Sequence, residues 1–303
     1  MIVSAITFLE PYITMKLPKL QQLKYLVALH DTGHFGHAAK KCFVSQSTLS
    51  SAIQALEEQL DSQLVERDHK TFVFTALGQD VVVKARNILE LSADLVASSS
   101  SNGDEFLGEL HVGIIPTIAP FLLSELIRHC SAQYPHLKLY LREDTSENSL
   151  SLLRSGELDM VLLATPYDTS EFVELSLARD PFYKVSHPQN SEGKIYLLES
   201  EHCLSDHAIS GCHLTDNSHI QPFQASSLNS LLAMVEGHKG ETYLPKLAIN
   251  SGVLNGSELL AEPLTFEDAA RNISLVWRKT SQRREFYVAV GKLFESVLKA
   301  KLQ

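Results

Sequence analysis

Two cysteines in the C-terminal half, Cys203 and Cys212, have neighbours that suit thiol redox chemistry. Cys203 lies between His202 and His207, just after a predicted strand at 194–199. A thiolate is the nucleophile that attacks the O–O bond of a peroxide, and a nearby cation or N–H donor lowers the pKa of a thiol. A second cysteine close by can then resolve the sulfenic acid as a disulfide. The pattern therefore predicts a redox-reactive pair.

Two other interpretations of these cysteines stay open. They could be inert thiols in a helical segment, or part of a metal site. The candidate ligands of such a site are His202, Cys203, Cys212 and His213. Their spacing matches no zinc-finger pattern, and adjacent His-Cys pairs rarely direct both side chains at one ion, so we predict neither a metal nor another cofactor. The other two cysteines, Cys42 and Cys130, lie on predicted amphipathic helices and are expected to pack.

The cysteine pair lies in a region that alternates between predicted strands and helices, which is typical of an α/β domain. The predicted strands are 110–115, 137–141, 159–163, 194–199 and 273–278, and the predicted helices are 121–130, 150–155, one after Ser226 and one from about Gln282. Their order predicts two lobes, with the chain passing from lobe I to lobe II and back. Ligands of such folds bind between the lobes at the carboxyl ends of strands. Thr117 and Ser146 are therefore candidate cleft residues, together with the loops after Glu199 and before Lys279, although a hydroxyl after a strand is also a common helix cap.

The N-terminal segment carries three predicted helices, which begin at Leu20 and are first interrupted at Gly33. An apolar stripe marks the third of them. This stripe consists of Leu49, Ile53, Leu56 and Leu60. The opposite face carries short polar side chains, which could approach the edges of DNA bases or could simply be solvated.

Four motifs in this segment, in order, resemble the winged helix-turn-helix of LysR-type regulators. They are Ala38-Ala39, Val44-Ser45-Gln46-Ser47-Thr48-Leu49-Ser50, Leu64-Val65-Glu66-Arg67 and Phe74-Thr75-Ala76-Leu77-Gly78. The resemblance implies that the helix from about Ser47 enters the major groove and that the segment from Arg67 to Phe74 forms the wing. The residues it implies near DNA are Gln46, Ser47, Thr48, Ser50 and Arg67. Relatives usually have proline where Ser47 stands, and a serine there can act as the helix N-cap.

A further helix is predicted from Thr75, with an apolar face that a partner helix would cover. This face consists of Val81, Val82, Ala85, Ile88, Leu89 and Leu95. LysR-type proteins dimerise through such a linker helix, and the run from Ser98 to Gly103 has the composition of a hinge. We therefore expect an extension at 1–14, a winged helix-turn-helix at 15–75, a linker at 76–103, and a two-lobed, periplasmic-binding-protein-like redox domain at 104–303.

Three further motifs resemble the OxyR peroxide-sensor branch of the LysR family, and the likeness extends over residues 17–303. They are Gly113-Ile114-Ile115-Pro116-Thr117, His202-Cys203-Leu204-Ser205-Asp206 with Gly211-Cys212, and Ser274-Leu275-Val276-Trp277-Arg278. The resemblance implies that hydrogen peroxide oxidises Cys203, which then bridges to Cys212 and rearranges the sensor domain. The residues it implies around the peroxide are Thr117, Ser146, His202, Asp206 and Arg278.

The chain departs from that branch at three places. Glu201 stands where relatives have glycine, and its carboxylate could disfavour the Cys203 thiolate or reorder the loop. The segment between Leu177 and Ile195 is short, which puts the edge strand of lobe II in doubt. Ser146 stands where relatives often carry threonine.

Bulk composition limits the class of protein. With 303 residues, 44% of them hydrophobic and 20% charged, the chain is large enough for at least two folded domains and is not a mostly disordered protein. Its net charge of −10 means that any contact with DNA must be local. The N-terminus has neither a basic region followed by an apolar run nor a membrane-length apolar stretch, so we expect a cytoplasmic protein, with Met15 as an alternative start.

The sequence thus predicts a non-enzymatic, DNA-binding regulator of antioxidant genes that hydrogen peroxide activates. Its expected partners are promoter DNA, RNA polymerase, a second or further copies of the chain in a homodimer or homotetramer, and a thiol reductant of the glutaredoxin or glutathione type, with no membrane. One alternative is a LysR-type regulator that responds to a small organic ligand or a metal in the cleft, with inert thiols. Another is a thiol peroxidase, which the helix-turn-helix pattern disfavours.

Overall fold

The computed structural model describes residues 17–67, 72–99, 108–190, 192–199, 203–211, 219–222, 224–266, 268–281 and 283–303. The chain divides into two compact units between residues 102 and 103. None of the helices in these ranges is both long and apolar enough to cross a membrane.

The N-terminal unit is a helix-turn-helix with a two-stranded ribbon and a long following helix. Its elements are α1 (Leu20–Thr32), α2 (Phe35–Lys41), α3 (Gln46–Gln59), β1 (Val65–Arg67), β2 (Phe72–Phe74) and α4 (Ala76–Ser99). The apolar stripe of α3 forms the centre of the core, where Leu49, Ile53 and Leu56 are fully buried. Strands β1 and β2 pair antiparallel, as expected for a wing.

Helix α3 begins at Gln46 because Ser45 caps it. The Ser45 hydroxyl accepts a hydrogen bond from the Thr48 backbone N–H at 3.1 Å. The expectation that Ser47 acts as the cap is wrong, since Ser47 is the second residue of the helix and its hydroxyl lies 2.8 Å from the Ser45 hydroxyl. Helix α3 therefore starts earlier than the sequence pattern indicates.

Lobe I of the second unit has a parallel core of three strands. Its elements are β3 (Gly108–Ile114), α5 (Ala119–Gln133), β4 (Leu137–Glu143), α6 (Ser146–Ser155), β5 (Met160–Thr165) and the C-terminal helix α10 (Arg284–Leu302). Strand β3 lies between β4 and β5 and pairs parallel with both, which confirms the predicted alternation of strands and helices. Thr145 caps α6, and Gly156 ends it with a φ of 79°.

Lobe II has its own hydrophobic core. Its elements are α7 (Cys203–Gly211), α8 (Leu228–Gly237), β7 (Glu241–Pro245), α9 (Lys246–Asn250) and β8 (Leu260–Pro263). The strand predicted at 194–199 is wrong. This segment makes only isolated bridges, from Ile195 to two different neighbours and from Leu198 to Ala225, so no continuous ladder forms.

Two long strands join the lobes. They are β6 (Phe172–Ser186) and β9 (Ala270–Arg278), which pair antiparallel. The first part of β6 pairs with β9, its last five residues pair with β7, and the last four of these also pair with β8. A single sheet path therefore runs through both lobes. Lobe I thus contains both ends of the unit and lobe II lies between them along the chain. The α/β fold class with two lobes is confirmed.

Candidate functional site

Cys203 lies where the two lobes of the second unit meet. It is the first residue of α7, only 7% of it is exposed, and it belongs to the apolar core of lobe I. Its neighbours Leu204 and Ala208 on the same helix belong to the core of lobe II. Helix α7 therefore contributes side chains to both cores.

Ser146 is the direct polar partner of the Cys203 thiol. It is the first residue of α6, it is 3% exposed, and its Oγ donates a hydrogen bond to Cys203 Sγ at 3.5 Å. A hydroxyl donor stabilises a thiolate more than a thiol. Ser146, which the sequence predicts in the cleft, thus contacts Cys203, the predicted nucleophile.

Burial raises the pKa of the Cys203 thiol above its usual value. The hydrogen bond from Ser146 and the positive charge of Arg271 lower this pKa, whereas the carboxylate of Asp206 raises it, and burial has the largest effect. The lowered pKa that the sequence pattern indicated is therefore not found in this state. Cys203 is a buried, protonated thiol at neutral pH, and it must lose its proton before it can react.

Arg271, which sequence reasoning missed, is a cation whose charge acts on the Cys203 thiol. It is 1% exposed and forms a buried ion pair with Asp180, with 3.1 Å between Arg271 Nε and Asp180 Oδ2. The two residues are opposite each other in the register of β6 and β9. The only local signal is an arginine at the start of an apolar strand, and its buried acidic partner is 91 positions away in the chain.

Arg271 also fixes Thr117. Its Nη1 donates to the Thr117 hydroxyl at 2.7 Å, and its Nη2 donates to the Thr117 carbonyl at 3.1 Å. Thr117 is 2% exposed and precedes α5. The predicted site residue Thr117 is thus joined to the site by an arginine, with its carbonyl and hydroxyl both held in place.

Arg278, the arginine predicted for this site, is at the other end of β9. Its Nη1 donates to the carbonyls of Leu153 at 2.7 Å and Leu158 at 2.5 Å, and its Nη2 lies 4.0 Å from Asp159. Seven residues of extended strand separate the two arginines by about 23 Å. Arg278 thus lies at the opposite end of β9 from Arg271, and Arg271 is the arginine whose charge acts on the Cys203 thiol.

Asp206 lies one turn after Cys203 on α7 and is exposed. Three further predicted residues, His202, Cys212 and Glu201, lie outside the described residues, as does His213 of the alternative metal site. Within the described ranges, no group of three or more His, Cys, Asp or Glu side chains could hold a metal ion. The other two cysteines are Cys42, which is half-buried, and Cys130, whose pKa burial raises to about 11.

A cavity of about 330 Å³ opens beside the site, between the lobes. Lobe I contributes Thr117, Phe121 and Glu143 to its wall, and the segment that begins α8 contributes Ser227 and Asn229. The predicted cleft between the lobes is therefore present, with Thr117 on its wall.

The proposed DNA-facing residues surround the start of α3. Gln46, Ser47 and Thr48 are exposed. Arg67, at the end of β1, donates through Nη1 to the Ser50 hydroxyl at 2.8 Å, so the wing and the recognition helix are joined. This arrangement gives a polar, exposed surface with one held cation.

Comparison with known proteins identifies both units. Residues 20–79 match the bacterial regulatory helix-turn-helix protein family, lysR type, and residues 103–299 match the LysR substrate binding domain. The chain is 39% identical over 290 residues to the HTH-type transcriptional regulator EstR of Acinetobacter baylyi, covering 91% of this chain and 96% of that protein. It is 35% identical over 286 residues to the DNA-binding transcriptional dual regulator OxyR of Escherichia coli K12, covering 88% and 92%. A full-length OxyR variant from Pseudomonas aeruginosa has a similar structure, with a TM-score of 0.78, 26% identity and coverage of 92% and 96%.

Proposed function

Because the chain belongs to the LysR family of DNA-binding transcriptional regulators, we propose that hydrogen peroxide is its signal and Cys203 its sensor. The observation that carries the proposal is the surroundings of the Cys203 thiol. It lies at the start of a helix, receives a hydrogen bond from Ser146, and is within the field of Arg271. Each of these three features stabilises the thiolate form of Cys203, which is the form that reacts with peroxide.

The proposed chemistry has two steps. The Cys203 thiol loses its proton, its sulfur attacks one peroxide oxygen and the O–O bond breaks, which gives a sulfenic acid and a hydroxide that takes up the released proton and leaves as water. The thiol of Cys212 then attacks the sulfenic sulfur, which releases a second water and forms the disulfide. A thiol reductant of the glutaredoxin or glutathione type would reverse the reaction.

The remaining residues have supporting roles in this proposal. Ser146 and Arg271 stabilise the negative sulfur, and Thr117 lies at the cleft wall, where its hydroxyl is held by Arg271. We assign peroxide binding also to His202 and Asp206, and we expect Glu201 to tune sensitivity. We assign to Arg271 the role that the sequence resemblance gave to Arg278.

The proposed output is a change in promoter binding. Gln46, Ser47, Thr48, Ser50 and Arg67 contact DNA, and α4 pairs with a second copy in a dimer or tetramer that acts on RNA polymerase at antioxidant genes. Disulfide formation removes Cys203 from the lobe I core, and because α7 belongs to both cores, this alters the sensor domain.

The test is non-reducing peptide mass spectrometry after a brief, near-stoichiometric dose of hydrogen peroxide. We expect a fast Cys203–Cys212 disulfide in the full-length chain and none in Cys203→Ser. Cys42 and Cys130 are internal controls for nonspecific oxidation, because burial raises the pKa of these two thiols as it does that of Cys203. Equal oxidation of these controls, with Cys203 still reduced, would contradict the proposal.

The cavity between the lobes supports a second candidate function, regulation by a small organic ligand. Under that alternative, a compound rather than peroxide would change DNA binding, and the Cys203→Ser variant would respond like the wild type. Measuring promoter binding by both proteins, with and without peroxide, separates the two candidates.

A further inference from the structure

His207 is a buried histidine with an unusual hydrogen-bond state. It lies four residues after Cys203 on α7, and only 4% of it is exposed. Its Nε2 lies 2.8 Å from the carbonyl oxygen of Pro166. Because a carbonyl can only accept, Nε2 carries the proton and Nδ1 is the unprotonated nitrogen.

This Nδ1 has no hydrogen-bond partner among the described residues, although it is fully buried. Leaving a buried acceptor without a partner destabilises a fold, so such a group calls for an explanation in function. The contact with Pro166 fixes the ring through its other nitrogen. The His207 ring is therefore fixed in position, and its basic nitrogen Nδ1 makes no hydrogen bond to the described residues.

The geometry of α7 places the His207 ring on the same helix face as the sensor thiol. Residues four apart in a helix lie on one face, and each side chain leans toward the N-terminus, over the earlier residue. His207 and Cys203 are related in this way, and both are buried. The imidazole thus extends toward the turn that carries the thiol.

The charged and titratable groups around His207 come from three elements. Arg271 on β9 and Asp206 on α7 act on it through their charges. Tyr167 follows Pro166 in the chain. It lies near enough to Cys203 that a negative charge on the Cys203 sulfur raises the pKa of Tyr167. Burial has the largest effect and lowers the pKa of His207, which keeps the imidazole neutral and able to accept a proton at neutral pH.

We propose that His207 is the general base that takes the Cys203 proton when peroxide reacts, a role that rests on the proposed peroxide sensing. The thiol proton passes to Nδ1 and the sulfur attacks the nearer peroxide oxygen, which keeps its own hydrogen. The O–O bond breaks, sulfur is oxidised by two electrons, and the departing hydroxide takes the proton back from Nδ1 as water. A buried thiol with a raised pKa can thereby react near pH 7.

The test compares pH profiles of Cys203 oxidation in full-length protein that carries Cys212→Ser, with the sulfenic acid trapped by dimedone. A histidine–thiol pair gives a rate constant that is level between the two pKa values. In His207→Gln, whose amide can still donate to Pro166, we expect a rate about 10- to 100-fold lower near pH 7 that rises about tenfold per pH unit. His187→Gln is the matched control, since His187 is a buried histidine of lobe II that pairs with Glu258.

The outcomes separate the two proposals. A level profile in the parent protein and a rising one in His207→Gln support the general base. If the pH profiles of the parent protein and His207→Gln are parallel, the role of His207 is wrong but peroxide sensing is not. The same holds if the rate in the parent protein itself rises tenfold per pH unit. If the parent protein forms no sulfenic acid at Cys203, both this role and peroxide sensing are wrong. Should His207→Gln fail to fold, the parent profile by itself still decides.

Discussion

The chemistry proposed for Cys203 depends on the groups that oppose the effect of burial on its thiol. Burial raises the pKa of Cys203, and the effects that oppose burial come from Ser146 and Arg271. Neither residue is adjacent to the cysteine in the chain. The pKa of the Cys203 thiol is thus a tertiary property of the domain.

We expect Ser146→Ala to raise the pKa of Cys203 further and to slow its oxidation about tenfold. The lost hydrogen bond to the thiolate corresponds to about 1.4 kcal/mol. Alkylation of the Cys203 peptide by iodoacetamide across a pH series measures the thiol pKa. Ser146→Thr keeps the hydroxyl and is the control, so equal pKa values in the alanine and threonine variants would contradict this assignment.

Arg271 is expected to be more important for stability than any exposed arginine. Arg271→Met leaves Asp180 buried without its ion-pair partner, which should lower the free energy of unfolding by about 3–5 kcal/mol. Urea unfolding followed through the fluorescence of Trp277, the single tryptophan, reports on the same strand. Adding Asp180→Leu should restore much of the loss.

The control for this experiment is Arg128→Met, which removes an exposed pair with Glu125. Exposed pairs contribute little, so its unfolding curve should overlie that of the wild type. Similar curves for Arg271→Met and Arg128→Met would show that the buried pair does not stabilise the lobes.

In the N-terminal unit, an ion pair between Asp31 of α1 and Arg86 of α4 joins these two helices. Burial alone would raise the pKa of Asp31, but hydrogen bonds and charges from His30, Arg86 and Lys41 lower it to about 2. Because this pKa lies below the ordinary value of 3.8, the ionised carboxylate stabilises the folded state above about pH 4, and the effect is lost as the pH falls toward 2.

Replacing the carboxylate should therefore matter only where it is charged. We expect Asp31→Asn to lower the melting temperature at pH 7 and to match the wild type near pH 2. Thermal melts of the full-length chain at several pH values, followed by far-UV circular dichroism, test this. A constant difference at every pH would mean that the carboxylate charge is not what joins the helices.

Elements also mark where sequence reasoning succeeded and failed. The stripe of α3 and the alternation in lobe I are periodic, and the structure has both. Strand β6 was missed because it contains Asp180 and Pro181, which are rare in strands. Both are tolerated here, since Asp180 meets a buried arginine and Pro181 lies where β6 leaves β9 and joins β7 and β8.

The site was predictable only in part, for a related reason. Cys203, Thr117 and Ser146 follow strands or open helices, and they stand in recognisable motifs. The choice between Arg271 and Arg278 depends on which end of β9 meets a buried carboxylate, and that partner lies on a distant strand. Burial of a charge depends on tertiary pairing, which spacing along the chain does not reveal.

At the scale of the whole molecule, charge is unevenly distributed. The net charge is −10, although residues 15–75 hold seven Lys/Arg and six Asp/Glu. The proposed attraction for DNA therefore depends on a few local cations, of which Arg67 is one.

We expect Arg67→Gln to weaken promoter binding and to make the slope of log affinity against log salt shallower by about one unit. Fluorescence anisotropy with promoter DNA, at salt concentrations between about 50 and 200 mM, measures this slope. Lys138→Gln removes an exposed cation of lobe I and is the control. An unchanged slope in Arg67→Gln would exclude a phosphate contact by this arginine.

The way in which the chain enters and leaves lobe II has a consequence for how such regulators diversify. The lobe begins at Phe182 and ends at Ala269, and the backbone N–H of Phe182 donates to the Ala269 carbonyl at 2.8 Å. Lobe II is thus a cassette inserted into lobe I, with its two ends touching. Recombination at these two adjacent ends would exchange lobe II, with Cys203, between relatives. Ser146, Thr117 and Arg271 would stay in the recipient.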